Sequence, residues 1–196
     1  YKFSELHLPD PAVWICRAGT EIYYESESHQ FDKDWESSIS IDWDRKGVMD
    51  ALADLKDNLE LQNDDQQSTY KVSYLVKQSG DAVLPLVRQR LRQQGFAAMP
   101  HLRCHWYLDI VPLRASRAEA IRYLSIRWGL SLDQMFIVAS QQGDAELLRG
   151  LTTTIVPEIH DSSLEALRSQ KLVYFTPKSQ DGLSKNFNQY RYFLNQ

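Results

Sequence analysis

The sequence predicts an α/β fold on a parallel, doubly wound sheet, and three observations carry that expectation. Helical patterns alternate with short β-rich runs from residue 116 onward. The chain of 196 residues is 43% hydrophobic with five Trp, ten Tyr and seven Phe, enough for one domain or a core with a sizeable insertion. Eight Gly, seven Pro and 24% charged residues separate it from collagen-like and disordered chains. No run of about 18 apolar residues is present, so no transmembrane helix is expected. The first ten residues lack the basic flank and apolar stretch of a signal peptide, which points to the cytoplasm and to no membrane partner. Cys16 and Cys104 then read as reduced, buried thiols, too few for a cysteine zinc site.

Taken in order, residues 12–16 (AVWIC) make a short strand, Gly19 a turn where a side chain would be costly, and residues 20–24 (TEIYY) a second strand. Acidic, aromatic residues 25–45 read as a linker with short helices, and Val48, Leu52 and Leu55 have helical spacing. Residues 62–69 form a loop, and 70–76 (YKVSYLV) alternate as a half-buried strand. Val83, Leu84, Val87 and Leu91 mark an amphipathic helix ending near Gly95, and 104–111 (CHWYLDIV) a strand ended by Pro112. Helices follow over 116–128, 145–148, 162–169 and 180–192, with strands at 135–139, 153–156 and 171–175.

The net charge of −4 argues against a nucleic-acid binder. Its distribution is uneven: residues 1–67 hold 16 acids and 6 bases, whereas 85–127 hold 8 Arg against Asp109 and Glu119. That basic stretch reads either as a solvated helix face or as a few arginines attracting an anion such as a phosphate ester. Ligands of parallel α/β sheets sit at strand carboxyl ends, which singles out 19–21 (GTE), 109–117 (DIVPLRASR) and 139–144 (ASQQGD). Ser116 is a plausible N-cap there, with Arg114 and Arg117 beside a helix N-terminus. No G-x-S-x-G, P-loop or G-x-G-x-x-G occurs. His101 and His105 could meet only on a helix, and a strand-like run around His105 speaks against zinc.

Several separated segments share order and spacing with one family. Leu8-Pro9-Asp10-Pro11, Gly19-Thr20-Glu21-Ile22-Tyr23-Tyr24, Asp32-Lys33-Asp34-Trp35, Trp43, Lys71-Val72-Ser73-Tyr74 and Leu108-Asp109-Ile110-Val111-Pro112 resemble sucrose-phosphate phosphatases of the haloacid dehalogenase superfamily. Residues 115–130 look closer still to the phosphatase-like C-terminal region of sucrose-phosphate synthase. The resemblance implies a Rossmann-like core (1–26 and 112–196) whose first strand and nucleophile motif are missing here, with an inserted α/β cap (27–111).

It also implies a site. Ser116, Arg117 and Arg114 would bind phosphate, with Arg117 standing where the family has Lys. Thr20, Glu21, Lys71, Ser73 and Asp109 match positions lining the family's sugar pocket or its hinge, although Lys71 and Ser73 could equally face solvent on a strand. Of the family's magnesium motif, Asp144 is kept and Ser140 replaces an acid. No Asp-x-Asp precedes Gly19, and without an aspartyl nucleophile no phosphoenzyme can form.

The expectation is therefore a degenerate, non-catalytic phosphatase-like module of sucrose-phosphate synthase, with no catalytic residue and no cofactor. It would bind a sugar phosphate such as sucrose 6-phosphate weakly, or dock sucrose-phosphate phosphatase or the glycosyltransferase domain of its own chain. The alternative is an active magnesium-dependent phosphatase whose nucleophile segment lies upstream of Tyr1. A structural oligomerisation domain is a third reading.

Overall fold

Val13–Cys16 (β1) and Glu21–Tyr24 (β2) pair antiparallel across a turn, and Gln30–Phe31 (β3) adds to β2. This hairpin belongs to a computed structural model that describes residues 11–24, 30–140, 147, 152–157 and 159–176. The turn, Arg17–Gly19, runs through three successive positive φ values of 50°, 61° and 94°. Only Gly19 adopts this region without steric cost. The chain forms two compact units, Tyr1–Tyr123 and Leu124–Gln196.

In the first unit, Lys33–Ile39 (α1) is capped by the buried Asp32, which accepts from the Trp35 amide at 2.9 Å and from Tyr24 Oη at 2.6 Å. Arg45–Ala51 (α2) is capped by Asp44. A four-stranded sheet follows, built from Leu59–Leu61 (β4), Val72–Val76 (β5), Ala98–Arg103 (β6) and Tyr107–Pro112 (β7). Its order is β4-β5-β7-β6 and every pairing is antiparallel. Helix Gly80–Gln93 (α3) covers one face. There Val72, Tyr74, Val76, Leu108 and Ile110 pack with Val48, Val83, Val87 and Leu91, the alternate-residue pattern of a one-sided sheet. Pro100 sits on the edge strand β6, where a missing N–H leaves no interior gap.

Two expectations are corrected here. The strand expected from residue 104 begins at Tyr107, because Cys104 (φ 50°) and His105 (φ 61°) form a two-residue hairpin turn closed by Trp106 N–H to the Arg103 carbonyl at 3.2 Å. Cys104 is accordingly exposed and Cys16 half-buried, so neither thiol is deeply buried. Strands β4 and β6 were not anticipated.

Arg117–Trp128 (α4) carries the chain into the second unit. Gly129 (φ 65°) ends it, with Leu130 N–H bonding the Ser125 carbonyl and Gly129 N–H that of Ile126. Phe136–Val138 (β8), Thr153–Val156 (β9) and Val173–Phe175 (β10) form a parallel sheet in the order β10-β9-β8, as the alternating pattern predicts. The helix expected over 162–169 is a 3-10 helix, Ser162–Leu167; its bonds, Leu164 to Asp161 and Arg168 to Glu165, span three residues. The helices expected at 145–148 and 180–192 lie outside the described residues, Leu147 excepted. Among the described residues, no helix is long and apolar enough to cross a membrane.

Candidate functional site

The face of the antiparallel sheet opposite α3 holds a buried polar network. The pairing Ser73↔Asp109 places these residues side by side on neighbouring strands, with Lys71 two residues before Ser73 on the same face. Lys71 and Asp109 are 4% and 1% exposed and Ser73 is fully buried, so none of the three faces solvent. Lys71 Nζ donates to Ser73 Oγ at 2.5 Å and lies 3.4 Å from Asp109 Oδ1. The single Ser73 hydroxyl proton has two acceptors in reach, Asp109 Oδ1 at 2.7 Å and the Gln66 carbonyl at 3.1 Å. Arg103 Nε donates to Asp109 Oδ2 at 2.7 Å.

Charge in this network is unevenly shared. Burial pushes the Lys71 ammonium below the ordinary lysine value, against the pull of Asp109 and with help from Arg103 and Arg17. Burial would also push Asp109 up. The Arg103 and Ser73 hydrogen bonds, with the Lys71 and Arg103 charges, outweigh it and hold the carboxyl below the usual carboxylate value. Arg103, the closer cation at 2.7 Å, contributes most through its hydrogen bond.

The turn before β2 meets the start of α4 by backbone contact. A Cβ on Gly19 would lie 2.2 Å from the Ser116 carbonyl carbon and 2.4 Å from the Arg117 nitrogen, so only glycine permits this approach. Ser116 caps α4, its Oγ accepting from the Glu119 amide at 3.1 Å. Thr20 is fully buried and donates inward to the Arg17 carbonyl at 2.9 Å. Glu21 accepts from Tyr23 Oη at 3.1 Å, and burial together with Glu21 pushes that phenol up to about 12. Arg17 Nη1 donates to the Asp65 carbonyl at 2.6 Å, tying the turn to the loop that accepts from Ser73.

The structure thus gathers Gly19 and Thr20 with Ser116 and Arg117, and Lys71 and Ser73 with Asp109. Arg117 is half-buried and Arg114 exposed. Asp144 lies outside the described residues, and Ser140, which is described, brings a neutral hydroxyl. Among the described residues, no three His, Cys, Asp or Glu side chains gather to hold a metal. Two arginines of the basic stretch form ion pairs, Arg90 with Asp54 and Arg122 with Glu119. Arg17 and Arg103 were missed as site residues. Only the short turn at Cys104-His105, which swings Arg103 back beside Asp109, could have signalled the second.

The chain, with a parallel-sheet unit and an antiparallel-sheet unit, has the fold of haloacid dehalogenase-type phosphatases. It aligns over 96% of its length, and over 78% of the other chain, with the sucrose-phosphatase of Synechocystis sp. PCC6803, solved with sucrose and phosphate (TM-score 0.84, 20% identity). A haloacid dehalogenase-like hydrolase protein from Bacillus subtilis shares the fold at a TM-score of 0.60 and 16% identity, over 92% of this chain and 68% of that one. Residues 2–190 match the sucrose-6F-phosphate phosphohydrolase family, and the chain belongs to it. It is also 32% identical over 193 residues to sucrose-phosphate synthase of Zea mays, which covers 85% of this chain and 17% of the synthase. Against a probable sucrose-phosphate synthase of Arabidopsis thaliana it is 29% identical, over 79% of this chain and 17% of the relative. The chain therefore spans about a sixth of the curated relatives it matches.

Proposed function

We propose that this chain is a sugar-phosphate-binding module of the sucrose-phosphate synthase type that no longer works as a phosphatase. The core is residues 1–26 with 112–196, and the cap is 27–111. The observation that carries the reading is the Lys71–Ser73–Asp109–Arg103 network, a costly set of charges kept on the sheet face opposite α3, under the loop of Gln66, rather than replaced by apolar side chains. Hydroxyl, carboxylate and cationic groups in one place suit a polyol that both donates and accepts hydrogen bonds. The phosphate end falls to Ser116, Arg117 and Arg114, where the first amides of α4 and two guanidinium groups favour an anion.

Loss of hydrolysis is supported by two departures from the family pattern: Arg117 in place of Lys and Ser140 in place of an acid. Bound sugar phosphate, such as sucrose 6-phosphate, is then retained as a signal to the glycosyltransferase domain of the parent chain or to a docked sucrose-phosphate phosphatase in the cytoplasm. Calorimetric titration with sucrose 6-phosphate, alongside a phosphate-release assay with magnesium, tests both halves. Heat of binding that Arg117→Ala weakens about tenfold, with no phosphate released, is the expected outcome. Turnover that disappears in Asp144→Asn would overturn the loss of hydrolysis, and an absence of heat would remove the binding role.

A further inference from the structure

In the second unit, the connection between β9 and the 3-10 helix Ser162–Leu167 turns an apolar residue out and an ionisable one in. Ile159 is 89% exposed, whereas the His160 side chain is 11% exposed. Both ring nitrogens of His160 meet oxygens that accept hydrogen bonds. Nδ1 lies 2.7 Å from the Pro157 carbonyl and Nε2 lies 2.9 Å from Glu165 Oε1. A neutral imidazole has one N–H and one lone pair, so either tautomer sets a lone pair against an oxygen. A proton on Glu165 would relieve this. Arg168, however, takes both oxygens of that carboxyl and, with His160, draws it down to about 2. The carboxylate is therefore an acceptor near neutral pH, and both contacts are satisfied by a ring that carries two protons.

We infer that the second proton on His160 is a pH-sensitive latch: the doubly protonated ring holds this connection against the 3-10 helix, and its deprotonation frees the segment after β8. The link to β8 runs through the next residue. The Asp161 amide donates to the Ser140 carbonyl at 2.8 Å, so a ring that leaves Glu165 loosens the hold on Ser140. The other groups around the ring keep their charge between pH 5 and 8, where histidine exchanges its own. Arg168 stays a cation. Asp161 is occupied as the cap of the 3-10 helix, accepting from the Ser163 amide at 2.9 Å. From β10 comes Phe175, its ring centre 5.2 Å from that of His160 at 72°, with the Arg168 guanidinium 3.9 Å above it. The latched form binds one proton more than the released form, so it is favoured at low pH and lost as pH rises. Hydrogen bonds between ions are about twice as strong as neutral ones, so deprotonation weakens the Glu165 contact even where an N–H still faces it.

Amide hydrogen exchange on the 196-residue chain tests the latch, with each rate divided by that of an unfolded peptide at the same pH. Protection of the Asp161 amide is expected to fall about tenfold between pH 5 and 8, in step with the His160 ring signals followed by NMR. The Thr154 amide, bonded to the Leu172 carbonyl at 2.9 Å within the parallel sheet, keeps its protection and reports that the unit stays folded. His160→Gln, whose amide does not titrate, abolishes the step. Glu165→Gln, which can donate to a neutral ring, makes it smaller. Asp161 protection that stays level while His160 titrates overturns the inference. So does a step that survives in His160→Gln with Thr154 still protected. Should His160→Gln fail to fold, the parent chain and Glu165→Gln decide, and a step of full size in Glu165→Gln overturns the inference as well.

Discussion

Two carboxylates, each held by two basic side chains, occupy opposite physical settings. Asp109, with its side chain 2% exposed, is flanked by Lys71 and Arg103 on the sheet of the first unit. Glu165, with 47% exposed, takes both oxygens of its carboxylate to Arg168 at 2.8 and 2.9 Å and one to His160 Nε2 at 2.9 Å in the second unit. Glu165 has the better geometry, a two-pronged guanidinium contact that draws its carboxyl down to about 2. Asp109 has the more consequential position. Water can replace what Glu165 loses, whereas nothing replaces what Asp109 supplies to a buried ammonium.

The largest effect therefore comes from removing the buried carboxylate. Asp109→Ala leaves Lys71 buried without its counter-charge and is expected to cost about 3–5 kcal/mol, read from urea unfolding. Replacing both partners together, Asp109→Leu with Lys71→Met, should recover most of that loss, because the desolvation penalty leaves with the charges. Arg103 keeps access to water, with its side chain 36% exposed. If the double variant is as unstable as Asp109→Ala, the contrast between the two settings fails.

A smaller effect appears in the pH dependence, with opposite windows for the two partners. Asp109 titrates lower in the folded chain than the ~3.9 of a free aspartate, so its contribution is present above that pH and is lost as pH falls through the folded value. Lys71 also titrates low when folded, which makes the unfolded chain bind more protons between the folded value and ~10.4. Stability should rise across that alkaline window as the buried ammonium is relieved of its charge. Urea midpoints measured against pH should show the rise in the parent chain and lose it in Lys71→Met.

How much of this was readable in advance follows from the range of each interaction. The strands at 153–156 and 171–175, the Gly129 helix end and the Ser116 cap are local, written in a few neighbouring residues. Gly19 was legible as a turn, although its contact with Ser116 is not local. Lys71, Ser73 and Asp109 came into view through family resemblance, since their spacing of 38 residues carries no periodic signal. Arg103 and Arg17 stayed hidden for a different reason. Each depends on a turn of left-handed backbone at residues that rarely adopt it, Cys104-His105 for one and Arg17-Ala18 for the other. A strand pattern read straight through residues 104–111 leaves Arg103 about 20 Å along the strand from Asp109, and the antiparallel edge strand that brings it back goes unseen.

The smallest effect belongs to Glu165, and salt is the way to see it. A carboxyl drawn to about 2 by exposed partners owes that shift to charges and hydrogen bonds that ions and water screen. Its stabilising contribution is present above the ~4.3 of a free glutamate and fades as pH falls towards the folded value. Raising sodium chloride to about 0.5 M should carry the Glu165 titration, followed by carboxyl NMR, back towards that ordinary value. Asp109 should move much less, because ions cannot enter the space between it and Lys71. Equal movement of the two carboxyls would mean that water and salt reach the sheet face as freely as they reach Glu165. The face would then have no sheltered charge to offer a ligand.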